Sequence, residues 1–414
     1  MSDHLKQLRE TCFKCHGDIL KCHPPRCPMR TKTFALNQIK FEFKNKTTFE
    51  GENPPSFFVG STNYPNITIS PMISIADLEK ERNISTIIDE PDVWKTNYSI
   101  PDIVSFRTHL IRTKGRRVDA TQTETLHDQL LEKSQELVLS SNPVYTHFSL
   151  EKPLLYDMKF NQYTQPIGPS GKILKFETDT PKIDQKVDYY TSDTDLLANE
   201  GITNLFNYGL SVTRINRILS AGLLGVKGQR KLVPTRWSIT ATDDNVGKHL
   251  IEQIKDYPTI DDYRVFESLY LDNHFLTLLV PRRWSFEFLE CWNNIISGDY
   301  ELFRGRKNYA SNSAGGYYAA RLGVLEYLAT IKKQAEVYCW RYVGDDYYLP
   351  LGVWQVRENI RSGLNDSNYK SFDDLQKALA YMASKQQLPF KHWMEKSYLL
   401  NLKKRQADLL SFLN

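Results

Sequence analysis

The chain carries two kinds of hydrophobic spacing, and the switches between them mark its elements. Leu126, Leu130, Leu131, Leu137 and Val138 fall near one face of a 3.6-residue repeat, which predicts a helix over 124–139 ended by Asn142-Pro143. The same period recurs at Leu196, Leu197, Ile202, Leu205 and Phe206, and again at Val212, Ile215, Ile218 and Leu219. It runs longest over 314–334, where Tyr318, Leu322, Leu325 and Leu328 form a stripe. Further helices are predicted around 353–360, 372–382 and 392–402, and over 246–254 with Asp243, Asp244 and Asn245 as N-cap candidates. Shorter apolar runs at 57–60, 67–70, 274–280 and 337–343 have the length of strands, and Tyr64-Pro65-Asn66 reads as the turn between the first two. Residues 150–190, rich in Pro, Gly, Asp and Tyr, lack a period and are expected to be surface loops. The pattern is α+β, with helices concentrated in the second half. Four segments are expected: a knuckle over 1–32, an α+β domain over 33–285, a helix-rich domain over 286–400 and a tail over 401–414.

With 414 residues and 41% hydrophobic composition, the chain can bury a substantial core. No apolar run approaches the roughly eighteen residues of a membrane span, and the polar start Met1-Ser-Asp-His-Leu-Lys predicts a cytoplasmic protein. A formal net charge of +4 creates no global attraction for nucleic acid, so any such binding has to use local patches.

Cysteine usage adds chemistry. Cys12, Cys15, Cys22 and Cys27 place four thiols within one short segment, close enough to surround a single ion tetrahedrally. One structural zinc ion is the first reading. An iron–sulfur cluster is the second, His16 and His23 are reserve ligands, and two disulfides are disfavoured in a reducing cytosol. Four thiolates leave no open coordination position, so the predicted role is to staple a segment that lacks a core of its own. Cys291 and Cys339, each followed by Trp among apolar residues, are expected to be inert core.

At the other end, Leu409, Phe412 and Leu413 stand at i, i+3 and i+4, which projects three apolar side chains from one side of a single helical turn. Gln406 lies three positions before Leu409, and Lys403-Lys404-Arg405 would steer the segment toward an acidic surface. This arrangement resembles the PCNA-interacting peptide of replication and repair proteins, with Leu413 in place of the second aromatic and weaker binding expected for that reason. The competing reading is a terminal helix over 391–413 docked on the protein's own core through Leu399, Leu400, Leu402, Leu409 and Leu410.

Three basic patches are candidates for nucleic acid or nucleotide. Lys231, Arg236 and Trp237 combine phosphate-binding cations with a stacking face, and Ser238, Asp243 and Asp244 follow as candidate catalytic groups. The structural alternative puts Asp244 in a helix cap, Arg236 in an internal ion pair and Trp237 in the core. Arg304 with its basic neighbours precedes the long helix that carries Arg321, and both are phosphate-binding candidates. Arg107, Arg112, Lys114, Arg116 and Arg117 form a run that could track a DNA backbone. No Walker or dinucleotide spacing accompanies any of these.

Several blocks together carry a family resemblance. The four-cysteine segment, Phe58-Val59-Gly60 with Tyr64-Pro65, Gly168-Pro169-Ser170, Leu219-Ser-Ala-Gly-Leu-Leu-Gly225, Lys231-Leu-Val-Pro-Thr-Arg-Trp237, Tyr317-Tyr318-Ala-Ala-Arg321 and Pro350-Leu-Gly-Val-Trp354 resemble the NreA family of archaeal DNA repair proteins. The terminal peptide belongs to the same pattern. The resemblance implies DNA damage tolerance or repair with recruitment through PCNA, and implies no catalytic mechanism. The alternative is an enzyme acting on a nucleotide or a base–sugar bond, a hydrolase or a glycosyl or phosphoryl transferase, with the tail docked on the body. A third reading, an RNA-binding zinc protein, lacks the aromatic sheet motifs of common RNA modules.

Overall fold

The computed structural model describes residues 27–43, 45–75, 84–95, 97–113, 117–122, 128–155 and 168–402. Of the zinc-ligand candidates only Cys27 falls within them; Cys12, Cys15 and Cys22 lie outside, as do Lys114, Arg116 and the terminal peptide from Gln406 to Leu413. Among the described residues no helix is long and apolar enough to cross a membrane. The architecture is mixed α+β in two compact units, one built from residues up to Thr242 with Tyr348–Gly352, the other from Asp243–Tyr347 and from Val353 onward.

In the first unit the elements are α1 (Pro28–Glu42), β1 (Thr48–Asn53), β2 (Phe57–Val59), β3 (Asn66–Ser74), α2 (Ile84–Ile87), α3 (Pro91–Trp94), α4 (Ile100–Thr108), β4 (Leu110–Thr113) and β5 (Arg117–Asp119). They are followed by α5 (Gln129–Leu139), β6 (Val144–Leu150), β7 (Ser170–Gly171), β8 (Ile173–Thr178), α6 (Gln185–Ser192), α7 (Ala198–Asn207), α8 (Val212–Ser220) and the start of α9 (Thr235–Ile254). One sheet has the order β1-β6-β8; the other runs β2-β3-β4-β7, with β5 added to β3. Strand β6 alternates buried and less buried residues because its side chains point to opposite faces in turn. Its Phe148 stacks on Phe49 of β1 at 5.0 Å, in a core shared with Ile39, Ile73, Ile111, Leu137 and Phe176. Asp128 caps α5 by accepting from the backbone N–H groups of Leu130 and Leu131, so the helix begins where that carboxylate satisfies its orphan donors.

A buried ionic cluster ties the loops of this unit together. Asp89 accepts from Ser56 Oγ and Arg107, while Arg217 donates to the Asp89 backbone carbonyl and to Glu90 Oε1, the latter at 2.6 Å. Arg107 is therefore a core residue of the fold and not part of a surface run. The expected loop region is also partly ordered: β7, β8 and α6 occupy it, α6 being capped by Asp184. Polar faces on these short elements hide the period, since β8 buries only Phe176.

The second unit holds the remainder of α9, then β9 (Tyr263–Tyr270), β10 (Asn273–Val280), β11 (Ser285–Trp292), β12 (Ile295–Glu301), α10 (Gly315–Thr330), β13 (Glu336–Val343), α11 (Trp354–Gly363), β14 (Tyr369–Phe372), α12 (Leu375–Lys385) and α13 (Phe390–Lys396). Its six strands have the order β12-β11-β13-β10-β9-β14, with β11 and β13 parallel and the other pairs antiparallel. The largest sheet thus lies in the half expected to be helix-rich. Strands β9, β11 and β12 escape the periodic reading because charged residues such as Glu267, Glu287 and Asp299 sit inside them. Helix α10 is buried nearly all round, from Gly316 to Leu328, so the apolar stripe is only part of its contact surface. Cys291 and Cys339 are buried core residues, and burial pushes the Cys339 thiol up to about 12.

The last described residues, up to Leu402, dock on this sheet. Trp393 stacks on Trp340 at 5.4 Å, and buried Leu399 and Leu400 complete the cluster. Glu287, buried in β11, accepts from Ser397 Oγ at 2.6 Å and from the N–H groups of Tyr398 and Leu399 at 2.6 and 3.1 Å. It therefore caps the helical residues 398–402 from across the fold.

Candidate nucleic-acid interface

Four blocks that are far apart in the sequence meet in the first unit. The N–H of Val59 donates to Thr235 Oγ1 at 2.9 Å, which joins β2 to the first turn of α9. Tyr64, in the turn after β2, packs its ring 5.0 Å from that of Trp237 at 59°. Backbone bonds from Ala120 to Pro65 and from Leu232 to Ala120 fix the path leading into α9. Ser220 Oγ donates to the Val233 carbonyl at 2.7 Å, and Gly222, at φ +71°, lies against the Lys231 backbone, where a Cβ would come within 3.1 Å. The Phe-Val-Gly, Tyr-Pro, Leu-Ser-Ala-Gly and Pro-Thr-Arg-Trp segments thus form one surface.

That surface has the chemistry of a stacking platform. Tyr64 and Trp237 are each 40% exposed, although burying two such rings would stabilise a fold considerably. Lys231 and Arg236 are exposed on the same segment, and Arg117 is exposed on β5, opposite Thr68 of β3. Ser238, by contrast, is buried and donates to the Thr235 carbonyl, so its hydroxyl faces the helix and not solvent. Arg230 donates to three backbone carbonyls, those of Gly225, Thr191 and Asp193, and holds the loop before the platform. Trp237 is not in the core, contrary to the structural alternative.

The run from Arg107 to Arg117 divides. Arg107 is buried, the Arg112 guanidinium lies 4.4 Å above the Phe58 ring, and Arg117 is exposed. Strand β4 brings Gly168-Pro169-Ser170 to Arg112: the Arg112 N–H donates to the Pro169 carbonyl at 2.9 Å, and β7 pairs with β4 in parallel. Gly168 is required there, since a Cβ would stand 2.2 Å from the Leu110 carbonyl oxygen.

The remaining candidates belong to the second unit, and most are locked in its interior. Helix α9 continues through Asp243 and Asp244, so neither caps a helix; the Asp-Asp-Asn cap signal is overridden because Arg357 and Arg321 engage the two carboxylates. Asp243 is buried and receives Arg357 Nη1 on both carboxylate oxygens at 2.8 Å. Burial pushes its carboxyl above the ordinary range, against the pull of Arg357. Asp244 accepts from Arg321 at 2.6 Å and from Lys248 at 2.6 Å. Arg321 is buried, also donates to Glu301 Oε2 at 2.9 Å, and lies over the Tyr317 and Tyr318 rings. Burial opposes its charge, but Glu301, Tyr317 and Asp244 together hold the guanidinium above its usual range. Gly247 leaves the room it needs, a Cβ there falling 3.0 Å from Arg321 Nη2. Arg304 is exposed on the loop after β12.

Cys27 is buried immediately before α1, at the N-cap position, with no side-chain cap bond. Among the described residues no group of three or more metal-ligating side chains occurs.

Comparison with known proteins places this chain. The sequence profile for archaeal Nre, N-terminal, matches residues 21–295, and that for archaeal Nre, C-terminal, matches residues 301–412. The chain belongs to the archaeal Nre family. It is 34% identical to DNA repair protein NreB of Archaeoglobus fulgidus, over 97% of this chain and 100% of the relative. It is also 34% identical to DNA repair protein NreA of the same organism, over 97% and 98%, and to DNA repair protein NreA of Haloferax volcanii, over 78% and 80%. No solved structure matches.

The buried pairs and the exposed platform make different demands on the fold. Removing the Arg321 side chain leaves Glu301 buried without its charge partner, so Arg321→Ala is expected to lower unfolding free energy by about 3–5 kcal/mol in a urea titration. A loss below ~1 kcal/mol would contradict a structural role.

Proposed function

We propose that this protein is a DNA repair factor whose folded body contacts nucleic acid through the Tyr64–Trp237 platform and whose terminal peptide recruits it to the PCNA sliding clamp. The relatives' shared name of DNA repair protein, at this coverage, supports the role. The observation that carries the contact is the pair of half-exposed rings 5.0 Å apart, beside the exposed cations Lys231, Arg236 and Arg117. Every base has a π-face, so such a platform suits single-stranded or unpaired nucleotides and leaves sequence unread. Cations around it supply salt-sensitive attraction.

Recruitment rests on Gln406, Leu409, Phe412 and Leu413. The described residues run to Leu402 through the helical residues capped by Glu287, which gives a fixed point on the body ahead of the clamp-binding peptide. Tethering a modest peptide raises the local concentration of the body at a clamp, which offsets the loss of the second aromatic. A zinc ion on Cys12, Cys15, Cys22 and Cys27 remains part of this reading; among the described residues it is represented by Cys27, buried at the N-cap position of α1. The enzyme alternative draws no support from Ser238, Asp243 and Asp244, which are engaged within the fold.

Trp237→Ala is expected to weaken binding of a labelled single-stranded oligonucleotide about tenfold while shifting the urea midpoint little. Unchanged affinity would remove the platform from the account. In a pull-down with purified clamp, Phe412→Ala should abolish retention, and retention equal to the unaltered chain would reject the assigned anchor. Elemental analysis of the purified protein should find one zinc per chain, a stoichiometry that falls on Cys12→Ser/Cys15→Ser replacement; a zinc-free, folded protein would exclude the knuckle.

A further inference from the structure

The strand register of the second unit brings two loops to one end of its sheet. Strand β11 starts at Ser285, and its Phe286 pairs with Glu301, the last residue of β12. Arg282 and Arg283, just before β11, therefore lie beside the loop Leu302-Phe303-Arg304-Gly305 that follows β12. The end of α9 reaches the same place, since Lys255 Nζ stands 5.4 Å from the Phe303 ring centroid and Arg283 Cζ stands 5.7 Å from it.

The loop is built to display its corner. Gly305 N–H donates to the Leu302 carbonyl at 2.7 Å, with Gly305 at φ +75°, which puts Phe303 and Arg304 at the two central positions of a tight turn. Arg306 pins the chain behind it, donating to the Asn308 carbonyl at 2.7 Å, the Tyr300 carbonyl at 3.0 Å, Asp299 Oδ1 at 2.8 Å and the Tyr309 carbonyl at 3.1 Å. Asp299 is held in turn by the N–H groups of Asn312 and Ser313. A turn this well fixed nonetheless leaves Phe303 37% exposed, at the rim of a cleft of roughly 720 Å³.

Charge at this rim is one-sided. The carboxylates nearby are already committed: Asp299 to Arg306, Glu301 to Arg321, and Glu252 to Lys255. Arg282, Arg283, Arg304 and Lys307 are exposed and have no carboxylate partner among the described residues. Of the two cations facing the ring, Lys255 is neutralised by Glu252 whereas, among the described residues, Arg283 is not, and an exposed ring flanked by unneutralised cations matches a base with its phosphodiester.

We propose that this rim is a second contact surface for single-stranded nucleic acid, in which a base stacks on Phe303 and phosphates are held by Arg283, Arg304 and Lys307, with Arg306 as the positioning residue. This rests on the reading of the protein as a nucleic-acid-binding repair factor and adds a site in the second unit that the Tyr64–Trp237 platform does not include. All the proposed contact residues are exposed, so replacing them leaves the core untouched.

The test uses the full chain and a fluorescein-labelled oligodeoxythymidine, with anisotropy read across a salt series. Phe303→Ala should weaken binding about tenfold and Phe303→Trp should restore it. The double variant Arg283→Ala/Arg304→Ala should reduce the slope of log affinity against log salt by about 1 to 2. If the unaltered protein and Trp237→Ala differ as expected but the Phe303 and Arg283/Arg304 variants bind like the unaltered protein, this surface is overturned and the platform stands. If the unaltered protein does not bind the oligonucleotide, both fall.

Discussion

Buried guanidinium groups organise the interior of each of the two units, taken separately. Arg107 and Arg217 converge on Asp89 and Glu90 in the first, and Arg321, Arg357 and Arg341 join Glu301, Asp243 and Glu290 in the second. Desolvating a charge costs several kcal/mol, so each of these groups needs its partner in place before the surrounding chain can close. The partners are supplied by residues from 18 to 128 positions away. The ionic cores therefore specify which loops come together, while aromatic and aliphatic burial supplies the bulk of the driving force.

This partition of the arginines explains the surface. Each buried arginine takes a carboxylate with it, so pairing inside the fold leaves the net charge of +4 unchanged and basic character outside is a matter of local placement. Among the exposed cations, Lys231, Arg236 and Arg117 lie in the blocks that carry or adjoin Tyr64 and Trp237, and Arg283, Arg304 and Lys307 in those that adjoin Phe303. Half-exposed aromatic rings contribute less burial than core rings, and rings beside cations suit a stacked, charged ligand.

Much of the secondary structure was legible from periodicity. Strands at 57–59, 66–74, 273–280 and 336–343 and the helices from Ala198, Val212 and Gly315 follow from apolar spacing. Helix α9 was cut short on paper because Thr-Asp-Asp-Asn reads as a cap, whereas Arg357 and Arg321 neutralise the two aspartates and let the helix run through. Polar residues inside β9, β11 and β12 hide the largest sheet because Glu267, Glu287 and Asp299 find partners outside their own strands, in His274, Ser397 and Arg306. Of the site, residue types were visible but burial was not. Arg107 and Arg321 read like Arg117 and Arg304 until the fold separates the paired from the exposed. Phe303 went unnoticed, although Leu-Phe-Arg-Gly-Arg, an aromatic in a glycine turn flanked by arginines, was the signal that could have found it.

On the proposed function, exposed rings flanked by unburied cations meet nucleic acid while the buried arginines serve the fold. Photo-crosslinking of the full-length protein to a single-stranded oligonucleotide, with the attachment sites mapped by mass spectrometry, tests it most directly. The account predicts adducts on the peptides that contain Tyr64, Trp237 and Phe303. Adducts confined to other peptides, with none of these three labelled, would contradict it.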